Sequence, residues 1–407
     1  MDLIKLCLVF LVIIVILWFK KPLAAAILSG IVAAVLIYGI SMRDAALLTV
    51  KSVTHWSTLS VALSFYVVTF LQRMLEKRKR LQGARESLDG IFNNRRINAS
   101  LTPAVIGLLP SAGAMNICAA MVDSACGNYL SAEDKAFVTS FFRHIPESFV
   151  PTFSAILIGI TLSGVSISSF VLAMLPMVAA LFLLGYVFYL RKIPKETEQG
   201  AQLSKHGRRA EIKKFFRSLW SITMVVALII VLDMPVYIVT PIVIVVNFIV
   251  DRFSFKEILP MFHTAFEPAI IYNTFLIMIF KDIVTSTGVI HSLPEVFSTL
   301  PIPAFFVFIL IFFVGTVISG SNAIIALCMP MAMAAVPGAG LPLVIALMCT
   351  AYAAMQVSPT HICLFVATEY FKVSIGTLIR RTIPVIACFM VIVVGYAIGL
   401  NGLAWLM

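Results

Sequence analysis

An all-α integral membrane protein built of two inverted repeats is the fold class this sequence predicts, and three observations predict it. Hydrophobic residues make up 61% of the chain and charged residues only 12%, against roughly 25% charged in soluble domains. Two apolar runs, Gly107–Asp123 and Gly315–Met331, are each interrupted by small and polar residues, Pro110-Ser111-Ala112-Gly113 and Ser319-Gly320-Ser321-Asn322. The interruptions are in register: Gly315 follows Gly107, and Ser319 follows Ser111, by 208 positions.

The same offset continues downstream. Val150-Pro151-Thr152 meets Ser358-Pro359-Thr360, Val165-Ser166-Ile167 meets Val373-Ser374-Ile375, and Pro176 meets Pro384. Interrupted apolar segments at matching places in two halves point to a transporter binding site. Non-helical backbone is tolerated at membrane depth only where it faces protein or a water-filled cavity. The interruptions therefore predict re-entrant hairpins.

Taken in order, residues 1–190 form the first repeat. Its scaffold spans lie within 1–75, at Leu6–Phe19, Leu23–Ile40 and Trp56–Leu75. Lys20-Lys21 directly after the first apolar core disfavours a cleaved signal peptide. A basic loop, Lys77-Arg78-Lys79-Arg80 through Arg95-Arg96, anchors the chain near anionic lipid and leads to a hairpin over 98–126. Ser131, with Glu133 and Asp134 behind it, starts a helix that Pro146 and Pro151 break. That broken crossing covers 131–164, and the last span covers 167–190. A charged cytoplasmic linker follows at 191–217.

Residues 218–407 repeat the plan. Scaffold spans fall within 219–288, a hairpin over 303–335, a broken helix over 341–371 and a last span over 378–400. The total is about ten spans plus two hairpins, with about five transmembrane helices in each half. An odd number of crossings per half inverts the second half in the membrane. With both termini outside, 26 of the 30 Lys and Arg residues fall on the cytoplasmic side or at its boundary; Lys5, Arg43 and Lys51 fall outside and Lys281 within a span. That bias fixes the orientation in the inner membrane and accounts for the +11 net charge without nucleic acid as a partner.

Candidate functional residues sit at the interruptions. At the hairpin tips, open helix ends present N–H groups to anions and carbonyls to cations. Ser111, Gly113 and Asn116 occupy one tip, and Ser319, Gly320, Ser321 and Asn322 the other. The shared offset predicts that the two tips approach each other. Ser358, Pro359 and Thr360 supply hydroxyls and free backbone at the second helix break. Glu147, His361 and His144 are the proton-coupling candidates, because ionisable groups inside apolar segments are costly. Arg143 is expected at the cytoplasmic interface, and Lys281 with Asp282 as a structural pair. His144 and Glu147, three apart, suit a metal on a helix, but Pro146 intervenes and no further ligand is evident, so neither a metal nor another cofactor is expected. The seven cysteines lie in apolar runs with no CxxC pair. No HExxH and no GxxxxGK[ST] occurs, so an enzyme is not expected.

Two inverted repeats, each a hairpin followed by a broken helix, resemble the ion transporter superfamily, which includes divalent anion:sodium symporters and gluconate, citrate and arsenite permeases. The segments FFRHIPESFVP (141–151) and VSPTHICLFVATEYF (357–371) resemble an uncharacterised prokaryotic permease-like family within it. The symporters carry Ser-Asn-Thr at each tip. Here Ser321-Asn322-Ala323 keeps two of those three and Gly113-Ala114-Met115 none. The resemblance implies a homodimer whose hairpins and broken helices slide, elevator-like, against the scaffold. It also implies an anionic small solute, with coupling to protons or sodium. Two other functions remain open: the membrane subunit of a multi-component permease, and a membrane-embedded enzyme.

Overall fold

Hydrogen-bond satisfaction decides the secondary structure, since backbone groups in hydrocarbon have no water to turn to. The computed structural model describes residues 2–19, 21–91, 94–108, 113–195, 205–299, 301–359 and 361–401, and among these residues there is no β-strand. The first half contains α1 (Asp2–Trp18), α2 (Leu23–Tyr38), α3 (Met42–Thr54), α4 (Trp56–Lys77) and α5 (Arg80–Ile91). It continues with α6 (Arg95–Ile106), α7 (Gly113–Cys126), α8 (Ala132–His144), α9 (Ser154–Ser163) and α10 (Ile167–Phe188). The second half contains α11 (Lys205–Leu232), α12 (Val236–Val250), α13 (Phe255–Thr264), α14 (Pro268–Ser286) and α15 (Val289–Ser298). It closes with α16 (Ala304–Ser319), α17 (Ser321–Ala335), α18 (Gly340–Met355), α19 (Ile362–Phe371) and α20 (Ile375–Asn401).

Local signals set these bounds. Asn94, Ser131 and Ser166 each accept a backbone N–H in the first turn of the helix they precede. Left-handed residues close α9 at Gly164 and α19 at Lys372. Between α16 and α17 stands Gly320 alone, with φ 86° and ψ 156°, a conformation essentially reserved for glycine.

Among the described residues, five helices are long and apolar enough to cross a membrane: Trp56–Lys77, Ile167–Phe188, Gly207–Leu232, Pro268–Ser286 and Ile375–Leu400. The remaining apolar helices have 10–17 residues, and even the longest rises only about 25 Å, short of the ~30 Å hydrocarbon core. Large apolar side chains such as Leu172, Leu175, Leu183 and Val391 face outward. Such a surface belongs in lipid. The chain is a multi-pass α-helical membrane protein.

The halves share an order of helices and a packing pattern. α7 and α17 begin at 113 and 321, α9 and α19 at 154 and 362, and α10 and α20 at 167 and 375, each pair 208 apart. Exchanging the halves leaves the main inter-half contacts in place. α7 packs on α19 as α17 packs on α9, α4 on α12 as α14 on α2, α5 on α11 as α15 on α1, and α8 on α20 as α18 on α10.

The structure adds helices where the sequence shows only loops. The charged 191–217 segment is helical from Lys205 onward, because Lys and Arg are good helix formers and α11 has a partner in α5. Four further helices, α3, α5, α13 and α15, are amphipathic segments that a search for uniformly apolar runs passes over. Lys281 and Asp282 lie 3.9 Å apart, and Asp282 also accepts the Ser52 hydroxyl.

Candidate functional site

A cavity of about 790 Å³ opens where the turn between α16 and α17 meets both helix breaks. Small-molecule sites span ~300–1,000 Å³. Its wall includes the turn from Ser319 to Ala323, the start of α9 at Phe153 and Ser154, and Ser358, Pro359 and His361 from the second break. Glu147, Tyr352, Lys21 and Thr316 add to the polar lining.

Besides α2, which starts at Leu23, three helices begin at this wall. The residues preceding α9, α17 and α19 are Phe153, Gly320 and His361, and none supplies a side-chain cap to its helix. Helix N-termini carry about half a positive charge in N–H groups with no intrahelical partner. Converging three of them on one cavity gives it an anion-attracting face. Ser154 Oγ bridges to Asn322 Oδ1 at 3.3 Å, tying the start of α9 to the start of α17. Ser319 and Ser358 donate their hydroxyl protons to the carbonyls of Gly315 and Val317, at 2.7 and 2.9 Å. Those two serines therefore hold the turn's shape, while Ser321 and Asn322 follow it in the cavity wall.

The first break carries the charge. After α8, a 3-10 turn over Ile145–Ser148, with Pro146 at its start, puts Glu147 one helical turn beyond Arg143. Arg143 Nη1 donates to Glu147 Oε1 at 2.8 Å. Arg143 is not at an aqueous interface: it is 1% exposed, enclosed on all sides by protein. Its carbonyl oxygen lies so close to Gly107 that a Cβ there would collide with it. Glu147 lies between this guanidinium and the cavity.

The two breaks meet at a pair of histidines. His144 is fully buried, and its Nδ1 donates to the Ser140 carbonyl at 2.6 Å. Its Nε2 faces His361 Nε2 at 3.0 Å, from the other half of the chain. Cys363 joins them, and the three ligand-type atoms all lie within 4.8 Å of one another. Sequence spacing associates His144 with Glu147, whereas the fold places it against His361 and Cys363.

The structure thus collects Ser319, Gly320, Ser321, Asn322, Ser358, Pro359, Glu147 and His361 around one cavity, with His144 directly behind His361. Asn116 lies exposed on α7, away from the cavity lining, and Gly113 begins that helix. Ser111 and Thr360 fall outside the described residues, as does the tip at 109–112. Sequence reasoning missed Phe153, Ser154 and Tyr352. The offset could have found them, since 208 positions link Phe153 to His361, Ser154 to Ile362 and His144 to Tyr352.

The chain matches, over residues 3–400, the model of a family described as "Protein of unknown function (DUF401)", and it belongs to that family. No curated protein matches it.

Proposed function

We propose that this DUF401 protein is a secondary active transporter of a small organic anion, coupled to protons or sodium, with the cavity as its solute site. The observation that carries the reading is the convergence of three uncapped helix N-termini on one cavity of about 790 Å³. Backbone N–H groups bind a carboxylate or oxyanion without the desolvation cost of buried lysines or arginines. Ser321 and Asn322 add side-chain contacts at the α17 end.

In this reading the halves are inverted repeats. Supporting it are the 208-residue spacing of the helix starts and a packing pattern that survives exchange of the halves. Helix pairs α6–α7 and α16–α17 are re-entrant hairpins, and α8–α9 and α18–α19 are crossings broken at mid-membrane. Elevator-like movement of these elements against the scaffold helices exposes the cavity to either side. Both termini lie outside the inner membrane, and the scaffold forms a homodimer. Glu147 is the proton-coupling group, since it joins the cavity wall to a buried cation.

A thermal-shift screen of the purified chain against carboxylates, sugar acids and oxyanions tests the reading. A ligand at a hundred times its Kd stabilises the folded state by about 2.7 kcal/mol. One class of anion is expected to raise the melting temperature, and Ser321→Ala with Asn322→Ala is expected to remove most of that shift. No stabilisation by any anion, or a shift that survives the double substitution, sinks the assignment.

A further inference from the structure

We infer that His144, His361 and Cys363 form a binding site for a soft or borderline d10 metal ion, Zn(II) or Cu(I), where the two helix breaks meet. The donor set carries the chemistry. Two imidazoles and a thiolate suit zinc and copper, whereas calcium and magnesium take oxygen ligands. Bonds of 2.0–2.1 Å to nitrogen and 2.3 Å to sulfur set tetrahedral ligand atoms about 3.3–3.6 Å apart. The two Nε2 atoms are 3.0 Å apart, and all three donors fall within 4.8 Å. A small approach by Cys363 closes the site.

Orientation is a second, independent sign. Metal-bound histidines usually give their other N–H to a carbonyl or carboxylate, which fixes the tautomer. His144 does this: Nδ1 donates to the Ser140 carbonyl at 2.6 Å, which turns the Nε2 lone pair towards His361 and Cys363. His361 lines the cavity and so gives an ion a way in. Met115 packs against Cys363, adding a thioether to the surroundings. The neighbouring Arg143 charge is matched by Glu147 at 2.8 Å, and a Cys363 thiolate offsets one charge of the ion. Binding ties α8 of the first half to the start of α19 in the second, and does not depend on which solute the cavity takes.

The competing explanation is a bare hydrogen bond, His361 Nε2–H to His144 Nε2. To separate the two, the full chain purified in detergent is stripped with chelator and titrated with Co(II). Zn(II) and Cu(I) are then titrated in competition with chromogenic chelators. Bound cobalt should give a thiolate-to-metal charge-transfer band and intense tetrahedral d–d bands, and Zn(II) or Cu(I) should displace it. Cys363→Ser and His361→Ala should each weaken binding by at least about 100-fold, the upper end of what losing a mere supporting residue costs. Cys363→Ser, a small change at an almost enclosed position, should keep the stripped chain's melting temperature, and the Co(II) bands should vanish regardless. Absence of the thiolate band, or affinities within threefold of the parent in both variants, overturns the site.

Discussion

The two helix breaks hold equivalent places in the two halves and carry opposite chemistry. At the first stand Arg143, His144 and Glu147; 208 positions on stand Ala351, Tyr352 and Met355. The second break is polar but neutral. Gln356 Nε2 donates to the Tyr352 hydroxyl at 2.9 Å, and Ser358 to the Val317 carbonyl. Two segments with the same order of helices can thus share a backbone plan while only one carries charge. Both breaks free helix ends for the cavity, and the charged one adds the Glu147 carboxylate to its wall. They touch where His361 reaches His144.

If charge separates the breaks, substitutions at the first should cost far more. Glu147→Ala takes the Glu147 carboxylate away from the enclosed Arg143 guanidinium and is expected to destabilise the chain by about 3–5 kcal/mol in detergent unfolding. Adding Arg143→Met to that variant should recover much of the loss. Equal losses in the single and double variants would mean the pair is uncoupled.

Gly107 and Gly315 sharpen the contrast, being counterparts beside different neighbours. A methyl at Gly107 meets the Arg143 carbonyl oxygen, which is backbone, while one at Gly315 meets the tip of the Ile324 side chain. Overpacking costs about 1–3 kcal/mol. Gly107→Ala should fall at the upper end and Gly315→Ala at the lower, measured as paired melting curves. The reverse order would contradict the packing at the first break.

The neutral break should yield cheaply. Tyr352→Phe removes the acceptor for Gln356 and should cost about 1 kcal/mol. A loss as large as that of Glu147→Ala would erase the distinction between the breaks.

The smallest effect sits near the protein surface, where the half-buried Arg78–Glu257 pair serves as a control for the enclosed one. Hydrogen bonds from the Arg78 side chain, then from the Ser254 backbone and hydroxyl, hold the Glu257 carboxyl down at about 2. A depressed carboxyl contributes stability that is complete above the ordinary carboxylate range. That contribution fades as pH falls from about 4.5 towards 2. Arg78→Ala should flatten this part of the stability profile by a small loss at neutral pH and none near pH 2, where the carboxyl is protonated in either chain. A large loss at neutral pH would show that the surface pair does more than its exposure suggests.

Much of this architecture was legible as apolar runs and a fixed offset. Tip residues Ser319 to Asn322 stood out because small polar residues interrupt an otherwise apolar stretch. The Arg143–Glu147 pair was also legible, since a spacing of four is one helical turn, yet a cationic residue near a basic loop looked like an interface anchor. Amphipathic helices such as α3 and α13 escaped because only their period, not their mean hydropathy, marks them. The meeting of His144 with His361 spans 217 positions. No local pattern encodes such a contact; it follows from how α8 packs on α19.

The central claim is that the charged break couples transport while the neutral break and the hairpin turn hold the solute. Glu147→Gln tests it most directly, because Gln keeps an oxygen for Arg143 while losing the proton site. In proteoliposomes loaded with the most stabilising anion of the thermal screen, gradient-driven uptake is measured beside solute exchange. The prediction is that uptake is lost while exchange continues at near the parent rate, which also shows that the variant is folded. Gradient-driven uptake at the parent rate would contradict the account and leave Glu147 as a structural partner of Arg143.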